Sequence, residues 1–343
     1  MGMNVSFNRG RVDRLFDGTI GQRNRSGKNW NHAVGSDIGG TNIRLAVVNL
    51  RTGNLATEPR IIEMAMFNDY DSLVRAVNEA KASIVESSGL TVDGAATGFP
   101  AAVDREGKVR FAPPNVKFPI DPDFGKHTDQ LVVNDGNAII TGVAFYDPTG
   151  SNKESFVGIL PGTGLGTAAI DGDHLILPFA FEGGHIKLDY KSHDKCGCGS
   201  TGCAETVISG PGLMRTARKM FRDNVFTSLG WSRPEDIAVD WIQGGKNAAL
   251  VMRIIAHNTV NFLSTLDAFF LSDAYFFGEG FLRDAGMVNK FIGYVKEDLE
   301  RPNQISFERQ EQVSNNLYPI QLEYPGIKGA AVIAAQNALG LWP

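Results

Sequence analysis

The sequence predicts an α/β protein of two domains, and three observations carry that expectation. The chain is 343 residues long, which at roughly 150 residues per domain gives two. Short apolar runs bounded by glycine and proline alternate with stretches whose apolar residues recur at helical spacing. Two patterns of strand, glycine-rich turn and strand, over 34–50 and 156–173, stand about 120 residues apart, as duplicated domains facing one nucleotide would place them.

The elements follow in order. Folded structure is expected from about Ala33, with 43–48 as a strand and Ala33-Val34 opening its hairpin partner. Leu73, Val77, Ala80, Ile84 and Val85 recur at helical spacing over 69–87, with Asp69 or Asp71 placed to cap. A buried strand is expected over 93–99, then a long proline-rich loop, a short strand at Leu131-Val132-Val133 and a helix over about 136–146. The turn-rich run Asp147 to Asn152 marks a linker. Beyond it come strands over 156–160 and 167–170, a long helix over 246–268 with Leu250, Ile254, Ile255, Val260 and Leu263 inward, a strand over 274–277 and a last helix over about 327–338. The domains are therefore expected as 33–147 joined by 327–343, and 148–326. Residues 1–32 form a disordered basic tail ahead of them.

Composition narrows the function. Hydrophobic residues are 43% and charged residues 21%, which excludes wholesale disorder. The first 32 residues hold six basic and two acidic side chains, and the remainder 27 basic and 36 acidic, so an acidic body argues against non-specific nucleic-acid binding. No stretch of 18 apolar residues exists to span a membrane, and no apolar signal core stands near the start. Met1-Gly2 with Ser6 formally fits a myristoylation pattern, and an organellar presequence is an alternative reading of the tail. The expected location is the cytoplasm. The three cysteines lie within eight residues of each other, which disfavours a secreted disulfide scaffold.

The motifs supply the chemistry. In Asp37-Ile38-Gly39-Gly40-Thr41-Asn42 and Pro161-Gly162-Thr163-Gly164-Leu165-Gly166-Thr167, glycines permit positive φ and remove the Cβ that would block a phosphate chain. Asp37 is placed to hold a hydrated Mg²⁺ beside the phosphates. Neither turn fits a P-loop or a dinucleotide fingerprint. Asn134-Asp135 ends a strand and opens a helix, so Asp135 is either a helix cap or a base that takes a hydroxyl proton. Glu182 and His185 in Phe181-Glu182-Gly183-Gly184-His185 would bind vicinal sugar hydroxyls. Cys196, Cys198 and Cys203 with one histidine complete a closed tetrahedral zinc shell, and His185 and His193 both stand within reach by spacing.

Taken together, these motifs, with Cys203-Ala204-Glu205, resemble the ROK sugar kinases of the hexokinase and actin ATPase superfamily over about residues 33–340. The resemblance implies two ribonuclease-H-like, actin-like ATPase domains around a central cleft, with a structural zinc motif. It implies ATP, Mg²⁺ and Zn²⁺ as cofactors, a small sugar as the other partner, and a homodimer. Asp135 would be the catalytic base. Asn115, Asn134, Asp135, Glu182, His185 and Glu205 would bind the sugar. The nucleotide would face Asp37, Gly39, Gly40, Thr41, Asn42, Gly162, Thr163, Gly164 and Gly166, with Gly278, Gly280 and Gly329 flanking adenosine. Zinc would sit on His185, Cys196, Cys198 and Cys203. Two departures from the family pattern are Ala101, where glycine is usual, and Glu279, where a small residue is usual.

The implied reaction is phosphorylation of a hexose 6-hydroxyl, glucose first, with N-acetylhexosamines, mannose and fructose as alternatives. The family's repressor branch carries a helix-turn-helix domain ahead of the sugar-binding body. The 32 residues here include five glycines and lack helical apolar periodicity, which disfavours it. An actin-like or chaperone-like ATPase would have no use for the Glu182, His185 and cysteine cluster.

Overall fold

The structure is a computed structural model and describes residues 10–13, 30–104, 106–110, 116, 118–172, 174–176, 182–278, 280–282, 284–301 and 307–338. Asn115, Glu279 and most of the basic tail lie outside the described residues. Within the tail, residues 10–13 are described, and they are helical: α1 (Gly10–Asp13) buries Arg11, which donates to the carbonyls of Ala144, Gly150, Lys153, Glu154 and Gly172. That stretch is therefore folded structure, against the expectation of a disordered tail.

The chain continues through β1 (His32–Ile38), β2 (Asn42–Asn49), β3 (Arg60–Glu63), α2 (Tyr70–Ser88), β4 (Ala95–Phe99), α3 (Phe124–Thr128), β5 (Leu131–Asn134) and α4 (Asp135–Tyr146). There follow β6 (Ser155–Pro161), β7 (Leu165–Asp171), β8 (His174–Ile176), α5 (Glu205–Ile208), α6 (Gly210–Met220), α7 (Asp223–Ser228) and α8 (Pro234–Ile242). The last part is α9 (Lys246–Phe270), β9 (Ala274–Phe277), α10 (Ala285–Leu299), α11 (Phe307–Asn315), β10 (Leu317–Pro319) and α12 (Pro325–Ala338). The strands form two sheets of order β3-β2-β1-β4-β5 and β10-β9-β6-β7-β8. No helix among the described residues is long and apolar enough to cross a membrane.

Contacts divide the chain into two compact units. One comprises the chain through Glu154, the segment starting at Ala168, and the chain from Gln321 onward; the other is Ser155–Thr167 with Glu182–Ile320. The first division thus falls after Glu154 rather than after Asp147, and the return to the first unit begins at Gln321 rather than at 327.

In the first unit, β1 and β2 are an antiparallel hairpin with Ile38 opposite Ile43, while β4 and β5 add in parallel. Alternation along β1 separates the faces of the sheet. Val34 and Ile38 join Leu73, Val77 and Ile84 of α2, with Phe99 and Phe124, in one hydrophobic core. Helix α2 starts where Asp69 accepts from the Ser72 N–H at 2.7 Å, and ends at Gly89, whose φ of 62° is left-handed. Gly35 points the other way, toward α12. A Cβ on Gly35 would stand 1.8 Å from the Ile327 carbonyl oxygen, and one on Gly142 would stand 2.3 Å from that of Pro325. Helix α12 therefore lies directly against backbone of β1 and α4.

In the second unit, β6 and β10 flank β9 in parallel, and Phe156 packs on Phe276 with ring centroids 4.8 Å apart. Helix α9 buries Val251, Met252, Ile255, Val260 and Leu263, but leaves Leu250 half-exposed. The expectation of an inward Leu250 is corrected: the buried stripe is rotated toward Val251. Helices α6, α8 and α10 were not expected from the sequence.

Candidate functional site

In the first unit, register sets the site. Asp37 pairs with Gly98, and Gly98 with Val133, so the ends of β1, β4 and β5 bring Asp37, Gly98 and Asn134-Asp135 to one end of the sheet. The hairpin turn is closed by the Gly39 N–H donating to the Asn42 carbonyl at 2.8 Å, with Thr41 exposed. Gly326, at the start of α12, abuts the acid: a Cβ there would lie 3.1 Å from Asp37 Cγ. Across the hairpin, Arg44 Nη1 stands 3.3 Å from Asp37 Oδ2. Burial pushes the Asp37 carboxyl above the ordinary carboxylate range, against the pull of Arg44.

The capping question at Asp135 is decided by its neighbour. Asn134 is the N-cap of α4 and accepts from the Asn137 N–H, while its Nδ2 donates to the Ala101 carbonyl. Asp135 is the first helical residue, half-buried, with Oδ1 accepting from the Gly136 N–H at 2.8 Å. A Cβ on Gly98 would lie 3.3 Å from Asp135 Cα, so this glycine gives the acid its room.

In the second unit, the turn between β6 and β7 presents half-buried Gly162 and Gly164 and exposed Thr163. Neither glycine turn contains a residue of positive φ. The expected use of left-handed backbone is corrected: no glycine of either turn adopts it, and at Gly164 it is the missing Cβ that gives room. At Gly164 it would lie 2.6 Å from Glu205 Oε2, and at Gly280 it would lie 2.2 Å from the Pro161 carbonyl oxygen. Gly280, with φ of 64°, therefore belongs beside the turn, whereas Gly278 is buried against Ile320. Gly329 goes elsewhere. It is buried in the contact between α12 and α4, where a Cβ would stand 1.7 Å from the Ala138 carbonyl oxygen. It is a helix-packing glycine, which corrects its place beside adenosine.

The cysteine motif folds into one cluster. Ligand atoms of His185, Cys196, Cys198 and Cys203 all lie within 4.8 Å of one another, and exposed His193 is not among them. Zinc–sulfur bonds of about 2.3 Å in a tetrahedron need sulfurs about 3.8 Å apart. Cys198 Sγ and Cys203 Sγ stand at 3.8 Å, and Cys196 Sγ is 3.4 Å from His185 Nδ1. Donor types and spacing both fit zinc. Burial pushes the Cys196 and Cys203 thiols up, a cost that a bound cation would offset.

Three of the expected sugar-binding residues gather around this cluster. His185 Nε2 turns away from the sulfurs and lies 3.9 Å from Glu182 Oε2. Glu205 Oε1 accepts from the Cys196 thiol at 3.3 Å, and Glu205 Oε2 accepts from the Leu165 N–H at 3.2 Å. Arg44 was missed from the sequence, although it and Asp37 are equally distant from the hairpin turn.

The sequence model of the ROK family matches residues 33–336. A glucokinase of Streptomyces coelicolor is 31% identical over 219 residues, 60% of this chain and 66% of its own. An N-acetyl-D-glucosamine kinase of Pectobacterium atrosepticum is 31% identical over 202 residues, covering 52% of this chain and 63% of its own. The matched region thus spans somewhat less than two thirds of these curated relatives. Among solved structures, the ROK glucokinase of Streptomyces griseus in complex with glucose and AMPPNP has a TM-score of 0.72 at 25% identity, covering 89% of this chain and 99% of its own.

Proposed function

The chain belongs to the ROK family, and from that premise we propose that it is an ATP-dependent hexose kinase acting on the 6-hydroxyl of glucose or a related hexose. The observation that carries this reading is Asp135. It stands half-buried at the same end of the sheet as Asp37, and the capping role that would otherwise explain it belongs to Asn134.

In the proposed reaction, Asp135 accepts the proton of the sugar 6-hydroxyl as that oxygen bonds to the γ-phosphorus, and the bond to the β-phosphate oxygen breaks to release ADP. Asn134, Glu182, His185 and Glu205 grip ring hydroxyls. Asn134 does so with the one N–H and one lone pair left after capping. The turns at 38–42 and 162–166 receive the phosphates through backbone N–H groups. Magnesium would neutralise phosphate charge, and the lone Asp37 carboxylate suits an ion that keeps most of its waters. Arg44 holds that carboxylate in place. Zinc on His185, Cys196, Cys198 and Cys203 would be structural, leaving His185 Nε2 for the sugar side. The cytoplasm and a homodimer belong to the same reading.

An ADP-release assay over about a dozen sugars tests it. Turnover with one hexose at least tenfold above the sugar-free rate is the expected result. Activity confined to N-acetylated sugars would move the substrate toward the Pectobacterium relative's chemistry. ATP turnover indifferent to every sugar would overturn the kinase reading.

A further inference from the structure

The second glycine turn is held from two sides by the segments that carry the metal-ligand side chains. On one side, the Gly183 N–H donates to Thr167 Oγ1 at 2.9 Å. A Cβ on Gly184 would stand 2.2 Å from the Leu165 carbonyl oxygen, so backbone lies on backbone, and the next residue is His185. On the other side, Glu205 follows Cys203 by two residues. Its Oε2 accepts from the Leu165 N–H at 3.2 Å and would meet a Cβ on Gly164 at 2.6 Å. Leu165, the first residue of β7, is thus clamped by both segments.

We infer that the metal cluster is the footing of this turn, so that its occupancy sets nucleotide affinity even when no sugar is present. The inference rests on the reading of 162–166 as phosphate-facing. A metal ion on all four side chains would bind the 183–185 segment to the 196–205 segment and close the clamp on Leu165. Without it, the two segments are joined by backbone bonds beyond the cluster, from the Ala204 N–H to the Ile186 carbonyl at 2.8 Å and from the Leu188 N–H to the Gly202 carbonyl at 2.9 Å, while the imidazole meets the sulfurs only through an approach of 3.4 Å to Cys196. At Gly184 backbone lies on backbone, so no flexible side chain stands between clamp and turn there to absorb slack. A small displacement at 183–184 therefore passes directly to the backbone N–H groups that would meet phosphate. Such coupling is reciprocal: nucleotide must tighten metal by the factor that metal tightens nucleotide.

Two measurements test this. Calorimetric titration with MgADP, with no sugar present, compares zinc-loaded protein, chelator-stripped protein and Cys198→Ser, each shown to be folded by circular dichroism. Cys198 is the exposed ligand, so its replacement disturbs packing least. Stripping and substitution are each expected to weaken MgADP by about 5- to 50-fold. The second measurement follows zinc transfer from unaltered protein to a chromogenic chelator, and MgADP is expected to raise zinc retention by a similar factor. Equal MgADP affinity in folded loaded and stripped protein, or equal zinc retention with and without MgADP, overturns the inference. Loaded protein that binds glucose but no MgADP overturns the phosphate-facing assignment itself, and the inference with it.

Discussion

Arg44 and Asp37 face each other across the first hairpin, with Nη1 and Oδ2 3.3 Å apart. The pair does not fully compensate the burial of the acid, whose carboxyl stays above its ordinary value of 3.8. The folded protein then holds this proton to higher pH than the unfolded chain does. Stability contributed at this position is greatest at low pH and falls as pH rises through the raised folded value. Asp37→Asn is expected to remove that loss. Its melting temperature should match or exceed that of the unaltered protein, with the gap widening from acid to neutral pH, while sugar phosphorylation collapses. Scanning calorimetry at several pH values checks the sign.

Asp135→Asn isolates proton acceptance from structure. The asparagine oxygen still accepts from the Gly136 N–H, and Asn134 still caps α4. Sugar and nucleotide affinities should hold within about twofold, while kcat falls by roughly 10²–10⁴. Turnover near normal in this variant would remove Asp135 from the reaction.

The cysteine cluster should retain close to one zinc per chain through gel filtration. Cys203 is buried, so Cys203→Ser is expected to lose the metal and to melt at lower temperature. Elemental analysis finding under about half an equivalent in well-folded protein would count against a structural metal.

Gly35→Ala tests the contact between α12 and β1. The new methyl would fall 1.8 Å from a backbone oxygen that has no rotamer to escape through. A loss of about 1–3 kcal/mol is expected from urea denaturation. An unchanged midpoint would mean that α12 does not lie on β1.

Arg11→Ala would leave five carbonyls without their guanidinium partner. About 1.5–3 kcal/mol of stability is expected to be lost. The control Arg51→Ala, at an exposed turn, should cost well under 1 kcal/mol.

What was legible in the sequence was local. Helix α2 could be read because its spacing, its Asp69 cap and the Gly89 stop lie within one stretch. The cysteine cluster could be read because thiol spacing is itself the signal; spacing left His193 open beside the His185 that the resemblance implied, and the fold gathers His185 with the three cysteines. What was not legible depends on partners far away in the chain. Gly329 looks like a nucleotide glycine until Ala138 is placed against it. Arg11 looks like one charge in a basic tail until carbonyls more than 130 residues away surround it. Leu250 fits helical spacing as well as Val251 does, and only the facing elements choose between them. The glycine turns were legible by composition, but left-handed backbone, the conformation glycine most often serves, is absent from both.

The contact of α12 with β1 joins residue 35 to residue 327. A ribosome therefore completes the opening sheet long before it delivers the helix that covers it. Until residues 325–338 have emerged, the face of that sheet at Gly35 lacks its cover. A product ending before Gln321 would leave its earliest-made unit unfinished.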